Sequence, residues 1–264
     1  MTGVSRPWDG SHVVITGAGG AIGSALARLI RERSGSARLT LVDVTEDATA
    51  ALARALGGDV TRVAWDLSRP DDLPEHGAAL LRERGPVDGL VNCAGIMEVQ
   101  SLATMPWELG LRVLKIDLES PLLLMSMFVP GMQERRRGVV VNVASMAGVT
   151  PLRGCAYYGA AKAGLAMASE IARFELSSSG VTVVTVYPGP VRSDLESHAR
   201  AGYPESKAKR FIPTGEAAPL AAKIVAACEE GRPRVVYPLF YDVASRIPNL
   251  ARRAAELLSP SPLR

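Results

Sequence analysis

The strongest constraint on this chain is the junction Thr16-Gly17-Ala18-Gly19-Gly20-Ala21-Ile22-Gly23, where an apolar strand-like run, His12–Gly17, passes through glycines into a helical stretch, Ala21–Arg33. A glycine-rich turn between strand and helix lets backbone N–H groups approach a pyrophosphate, because no Cβ intervenes and the helix dipole favours an anion. Glycines also make ordinary tight turns, so the context decides, and here the alternation continues along the chain. Strands are predicted at Arg38–Asp43, Arg62–Asp66, Gly89–Gly95, Gly138–Ser145, Thr182–Gly189 and Arg234–Pro238, seven with the first. Helical spacing falls between them at Glu46–Leu56, Asp71–Arg84, Thr104–Glu134, Tyr157–Ser179 and Glu216–Glu230. This order predicts an α/β fold whose parallel sheet is covered by helices on both faces. Ser193–Gly215 is the longest stretch without clear periodicity, which in a compact domain marks a functional or mobile loop.

Nothing in the composition opposes one globular domain over residues 1–264, since 47% of residues are apolar, 22% are charged and no composition shift marks a linker. The net charge of +3 provides no strong field toward nucleic acid or an anionic membrane. Cys93, Cys155 and Cys228 are odd in number and far apart, which argues for a reducing compartment and against a disulfide framework or structural zinc. The first ten residues lack the apolar run of a signal peptide, and the most apolar stretch, Pro121–Pro130, is about half of a bilayer span, so a cytoplasmic location without an integral membrane segment is expected. No metal site is expected, because His12, His76 and His198 are dispersed.

Asp43 closes the second predicted strand twenty residues after Gly23. A carboxylate there accepts hydrogen bonds from both ribose hydroxyls of NAD and repels the 2′-phosphate of NADP. No arginine lies in the glycine loop and Val44 follows, so the residues favour NAD over NADP; capping of the next segment is the plainer role for Asp43. Asp66, before Leu67, would lie at the same sheet edge near the adenine, or cap the turn Ser68-Arg69-Pro70. Asn92-Cys93-Ala94-Gly95 ends the fourth strand, and Ser145 ends the fifth, thirteen residues before Tyr158. Tyr158 and Lys162 are four apart on a helix and share a face, so the ammonium can favour the phenolate of a phenol otherwise too weak as a base. Tyr157 has no such lysine.

Taken together these motifs resemble the short-chain dehydrogenase/reductase family, in its shorter single-domain branch, from His12 to about Pro238. The resemblance implies a Rossmann-type doubly wound seven-stranded sheet, a nicotinamide cofactor and hydride transfer at an alcohol or carbonyl carbon. It makes Tyr158 the general acid/base, has Ser145 orient the substrate oxygen, and gives Lys162 the tasks of lowering the tyrosine pKa and holding the nicotinamide ribose. Asn92, Ala94 and Gly95 match the segment that braces the sheet and lines the cofactor site. Pro188, Gly189, Val191 and Ser193 match the segment approaching the carboxamide, with Ser193 where threonine is usual, and residues 193–215 correspond to the substrate lid.

Two positions depart from the pattern. Ala21 stands where the family's glycine loop has its second glycine, so Gly17, Gly20 and Gly23 take the spacing of the extended, epimerase-containing branch, which the chain length and Asn92 oppose. Asp117 stands where the catalytic tetrad has asparagine; if ionised, it holds Lys162 protonated and partly cancels the lysine's field at Tyr158. The leading reading is an NAD-dependent oxidoreductase of an apolar secondary alcohol or ketone, the apolar character resting on Val149, Leu152, Cys155, Tyr187, Phe211 and Ile212 near the expected pocket. A catalytically silent nucleotide-binding regulator or scaffold is the other class, with an epimerase or dehydratase third. His198, in the lid, is a candidate substrate contact; Arg135-Arg136-Arg137 reads as a solvated helix end; and Val243–Leu258, in the tail 239–264, reads as subunit packing or a membrane graze. The two long helices resemble those through which family members form dimers and tetramers, so a homo-oligomer, a homotetramer among the options, is expected.

Overall fold

The computed structural model describes residues 7–204, 213–245 and 259–263. Its elements are β1 (His12–Thr16), α1 (Ala21–Arg33), β2 (Arg38–Asp43), α2 (Asp47–Leu56), β3 (Val60–Ala64), α3 (Leu73–Arg84), β4 (Gly89–Asn92), α4 (Trp107–Leu114), α5 (Ser120–Glu134), β5 (Gly138–Val143), α6 (Ala156–Glu175), β6 (Val181–Pro188), α7 (Asp194–Ala201), α8 (Ala217–Glu230), β7 (Arg234–Tyr237) and α9 (Leu239–Ser245). The strands form one parallel sheet in the order β3-β2-β1-β4-β5-β6-β7, the doubly wound Rossmann-type arrangement.

Burial on both faces explains why the strands read as apolar runs. Every residue of β1 is buried, and its side chains alternate between two cores. Val13 and Ile15 join Leu26 and Ile30 of α1 and Leu220 and Ile224 of α8 on one face. On the other, Val14 joins Leu90, Val140, Leu124 and Phe128. Each fully buried leucine of this kind contributes about 1.5–3 kcal/mol relative to an exposed one.

The structure differs from the sequence expectation at element ends. β3 is Val60–Ala64, so Asp66 lies beyond it, and β4 and β5 stop at Asn92 and Val143, which leaves Gly95 and Ser145 in the loops at the carboxyl edge. The expected helix Thr104–Glu134 is α4 and α5 joined by a wider π turn at Lys115–Glu119. Pro121 has no N–H to give to the carbonyl four residues back, that of Asp117, so a regular α-helical ladder cannot run through this point. Part of the aperiodic stretch is helical: α7 is capped by Ser193, whose hydroxyl accepts the Glu196 N–H at 3.1 Å. Phe211, Ile212 and residues 246–258 of the tail lie outside the described residues. No helix among the described residues is long and apolar enough to cross a membrane.

At the amino edge of the sheet the three consecutive arginines do more than solvate a helix end. Arg135 donates to the Val87 carbonyl at 2.7 Å, Arg136 to the Ser178 carbonyl at 3.0 Å, and Arg137 to the Asp9 carbonyl and the Ser11 hydroxyl at 2.6 and 2.8 Å. Beside them His12 is fully buried, with Nε2 2.8 Å from the Thr40 hydroxyl. Burial, and then the charge of Arg38, pull its pKa below the ordinary imidazole value. The unfolded chain therefore binds a proton that the folded chain resists, so stability is lost as pH falls below about 6.5 toward the lowered value. Thermal melts at pH 7.5 and 5.5 are expected to show a larger fall in Tm for the wild type than for His12→Gln.

Candidate active site

The order of the sheet reverses between β1 and β4, and the loops leaving these two strands diverge into a crevice. Thr16 ties its floor together: its hydroxyl oxygen accepts the N–H groups of Cys93 and Ala94 at 3.0 and 3.1 Å. Gly17 follows with φ +63°, and a Cβ there would lie 2.7 Å from the Ala94 Cα, so glycine is needed for both conformation and close approach. Gly20 caps α1 without a side-chain hydrogen bond, and no acidic residue occupies the first turn, which begins Ala21-Ile22-Gly23. The first N–H groups of α1 are thus free of side-chain acceptors where an anion would sit.

Asp43 braces the loop from the next strand. One carboxylate oxygen accepts the Gly19 N–H and the other the Val44 N–H, both at 2.9 Å. This crevice fits a nicotinamide dinucleotide: an uncapped helix N-terminus, a glycine cradle that side chains would fill, and a carboxylate beside them. Asp66 sits at the same edge but caps a turn, its Oδ1 accepting the backbone N–H and hydroxyl of Ser68 at 2.9 and 2.7 Å. The Ser68 hydroxyl is the main reason its carboxyl lies below the usual range. Leu67 is buried, and its carbonyl accepts the Ser120 hydroxyl at 2.7 Å.

Asn92 Nδ2 donates to Asn142 Oδ1 at 2.8 Å; Asn142 Nδ2 donates to Ser169 Oγ at 3.0 Å, which accepts the Thr185 hydroxyl at 2.7 Å. This buried chain joins β4, β5, α6 and β6. Only Asn92 in it was legible from sequence, because nothing local marks the other three as neighbours.

The π turn aims Asp117 inward. Its carboxylate is fully buried, with Oδ2 accepting the Ile96 N–H at 3.0 Å and Oδ1 forming an ion pair with Lys162 Nζ at 3.0 Å. Lys162 also donates to the Val143 carbonyl at 3.0 Å, and its Nζ lies 5.8 Å from the centre of the Tyr158 ring. Burial raises the Asp117 carboxyl, with Lys162 opposing. Burial pulls the Lys162 ammonium down, but Asp117 and then Tyr158 outweigh it, and its pKa is raised. Tyr158, 7% exposed, is likewise pushed up by burial; Lys162 draws it back, Asp117 opposes that, and the Ser145 hydroxyl draws it back further. The balance leaves Tyr158 a neutral phenol at neutral pH, although the lysine acts in the expected direction.

Ser145 begins the loop after β5; its Oγ accepts the Ala147 N–H at 3.1 Å, and its hydroxyl is the hydrogen-bonding neighbour of the Tyr158 phenol. Tyr157 instead meets Trp107 edge-on, with ring centres 6.2 Å apart. Pro188 ends β6, and the Gly189 N–H donates to the Tyr237 carbonyl at 2.7 Å. Val191 is buried in a bridge to Gly215, and the Ser193 hydroxyl donates to its carbonyl at 3.0 Å while capping α7. Tyr187, expected near the pocket, is buried against Met146 and Val149 of the loop after β5; its hydroxyl donates to Glu170 at 2.6 Å and Arg234 lies over its ring. His198 faces Glu98 at 3.4 Å. A contact that sequence reasoning missed joins the Cys155 thiol to the Tyr203 hydroxyl at 3.2 Å, since these residues meet only through the fold.

The sequence profile of the short chain dehydrogenase family matches residues 11–204, and the chain belongs to that family. It is 33% identical over 187 residues to the 3-oxoacyl-[acyl-carrier-protein] reductase of Vibrio cholerae, covering 71% of this chain and 76% of the relative. It is 31% identical over 213 residues to D-threitol dehydrogenase of Mycolicibacterium smegmatis, covering 78% and 80%. Among solved structures, a short-chain dehydrogenase from Sphingobium yanoikuyae in complex with NADPH superposes with a TM-score of 0.79 at 28% identity, over 94% of this chain and 95% of that one. The chain is therefore an oxidoreductase of the family that acts on CH–OH and keto groups with a nicotinamide cofactor.

A Cβ on Gly95 would lie 2.6 Å from Asp117 Oδ1 and 3.3 Å from Lys162 Nζ, whereas Gly35 faces open space. Overpacking of the first kind costs about 1–3 kcal/mol, and a fall in Tm of roughly 5 °C follows for a chain of this size. Gly95→Ala is expected to show that fall together with weaker NADH binding in a fluorescence titration, while Gly35→Ala changes neither.

Proposed function

We propose that this oxidoreductase transfers hydride between NAD and an apolar secondary alcohol or ketone, with Tyr158 as the proton donor and acceptor. The observation that carries the reading is the convergence of Tyr158, Lys162 and Ser145 at the carboxyl edge of the sheet, beside the glycine crevice. The dinucleotide would be held by Gly17, Gly19, Gly20, Ala21, Ile22 and Gly23 at its pyrophosphate, by Asp43 at the adenine ribose, and by Asp66 and Leu67 near the adenine. Asn92, Ala94, Gly95, Lys162, Pro188, Gly189, Val191 and Ser193 would line its nicotinamide half. When bound, the nicotinamide supplies or takes the hydride at the carbinol carbon.

The residues of this chain manage the oxygen and its proton. Ser145, whose hydroxyl neighbours the Tyr158 phenol, donates to the substrate oxygen and orients it beside that phenol. In reduction Tyr158, a neutral phenol, gives its proton to that oxygen, and the adjacent Lys162 ammonium stabilises the phenolate left behind. Asp117 keeps Lys162 charged but weakens its pull on the phenol. In oxidation Tyr158 must first lose its proton to take that of the alcohol, so the raised pKa moves the onset of oxidation to higher pH. Intact Ser145, Tyr158 and Lys162 weigh against a silent nucleotide-binding scaffold.

Asp43 supports NAD, because a 2′-phosphate would meet its carboxylate. NADP is the second reading, supported by the NADPH held by the Sphingobium relative. Residues 193–215, with α7 as their described helix, are read as the substrate lid, and a cytoplasmic location is proposed for a chain with three free thiols. Met167, Ile171 and Phe174 on α6 are exposed at helical spacing, with Trp107 exposed on α4. This stripe supports a homo-oligomer built on α4–α6.

The test is nicotinamide absorbance with NAD and NADP across secondary alcohols and ketones. Turnover is expected with NAD, slower with NADP, and Tyr158→Phe is expected to lower kcat by about 10²–10⁴-fold with NADH binding intact; equal rates for wild type and mutant would exclude the role of Tyr158. In the same assay, alcohol oxidation is expected to accelerate as pH rises through the alkaline range while ketone reduction slows. Asp117→Asn removes the charge that raises Tyr158, so its oxidation profile moves to lower pH; an unchanged profile would remove Asp117 from the mechanism.

A further inference from the structure

The carboxyl end of β6 runs beside that of β5: Val143 pairs with Val186, and the Ala144 N–H donates to the Val186 carbonyl at 2.9 Å. Pro188 and Gly189 therefore leave the sheet next to Ser145 and to the Val143 carbonyl that holds Lys162. Gly189 has no backbone reason to be glycine, because its φ is outside the left-handed region. The reason is a side chain. A Cβ there would lie 2.5 and 2.6 Å from Cε2 and Cδ2 of Tyr241, on α9.

The Tyr241 ring reaches further than this one glycine. It packs on the buried cluster of Ala144, Met146 and Tyr187, with Val149 alongside, so it joins the loop that carries Ser145 to the one that leaves β6. Tyr237, at the end of β7, fills the Cβ direction of Gly215 in the same way, and Gly215 bridges to Val191. The Tyr237 carbonyl also takes the Gly189 N–H at 2.7 Å, and its hydroxyl accepts the Glu216 N–H at 3.1 Å. Two tyrosines from one short stretch of chain thus grip the backbone 188–191, through two glycines that let the rings approach.

We infer that Tyr241 is a positioning residue for the nicotinamide half of the cofactor: its ring, seated on Gly189, holds the Pro188–Val191 backbone in its binding conformation before the cofactor arrives. The inference rests on the dinucleotide reading of the crevice and adds to it a residue that donates no group to the reaction. Without the ring, that backbone is ordered only on binding, and each residue so ordered costs about tenfold in affinity. The adenine half does not feel the loss, because Asp43 and the glycine turn stand at β2 and β1, with β4 and β5 between them and β6.

The test compares NADH with ADP-ribose, which lacks the nicotinamide, by isothermal titration calorimetry. The proteins are the full chain, Tyr241→Ala, Tyr241→Phe, Gly189→Ala and the double variant Gly189→Ala/Tyr241→Ala. Tyr241→Ala is expected to weaken NADH about tenfold and to leave ADP-ribose within about twofold, while Tyr241→Phe, which keeps the ring, restores NADH binding. Gly189→Ala drives a methyl into the ring, so it is expected to weaken NADH alone, and to cost nothing further in the double variant, where the ring is gone. A general structural loss weakens both ligands alike; that result, an unchanged NADH affinity in Tyr241→Ala, or an equal loss in Tyr241→Phe overturns the proposal. No arm needs turnover. A full chain that binds neither ligand overturns the dinucleotide reading and this inference with it, whereas binding of both with any other pattern of losses overturns only the role of Tyr241. If Tyr241→Ala does not fold, Gly189→Ala and Tyr241→Phe decide: a loss confined to NADH in the first and none in the second supports the role, and any other pair of results overturns it.

Discussion

The reversal of strand order between β1 and β4 is the constraint on which the rest of this structure depends. Right-handed crossovers on either side of that point send α1 and the loop after β4 apart, and a crevice opens that no other place along the sheet provides. The Thr16 hydroxyl holds the two exits in register, and Gly17 lets them approach within contact of Ala94. Because every strand is parallel, each one delivers its following loop to the same edge. The carboxylate after β2, the Asn92 segment after β4 and Ser145 after β5 converge there for the same topological reason.

The second decisive interaction is the buried pair of Lys162 and Asp117. Taking two charges out of water carries a penalty of several kcal/mol per ion, so such a pair persists only where other hydrogen bonds satisfy both members. The Val143 carbonyl and the Ile96 N–H do this, one from each side. The chemical consequence reaches Tyr158. A lysine alone beside a phenol would draw its proton off; a lysine matched to a carboxylate does so less, and burial then dominates. The carboxylate at position 117 thus opposes the pull of Lys162 on the Tyr158 phenol.

Much of this was legible in the residues. Strands buried on both faces must be apolar throughout, and helices must keep one apolar stripe, so Val13–Ile15 and Leu26–Ile30 announced their elements directly. Tyr158 and Lys162 were legible because four residues on a helix is a fixed distance. The π turn was harder, though Pro121 carried a signal, since it withholds the N–H that a continuous helix needs at Asp117. α7 escaped notice because its stability comes from the Ser193 cap and from packing rather than from a strong apolar period. Whether Tyr187 faces core or cleft was not legible, because an aromatic at a strand end can do either; the fold buries it against Met146 and Val149, with its hydroxyl on Glu170 and Arg234 over its ring.

The sequence by itself determined the order of elements, the glycine turn, the acid after β2 and the Ser, Tyr and Lys that converge at the carboxyl edge. These follow from local rules: side-chain period, backbone freedom at glycine, and fixed spacing along a helix. Tertiary structure alone decided which charges meet and where the end of the chain docks. Asp117 reaches Lys162, Cys155 meets Tyr203, and Leu263 reaches Gly202 only when segments tens of residues apart are brought together. No local pattern encodes those distances, because long-range contacts are set by how helices and loops pack on the finished sheet.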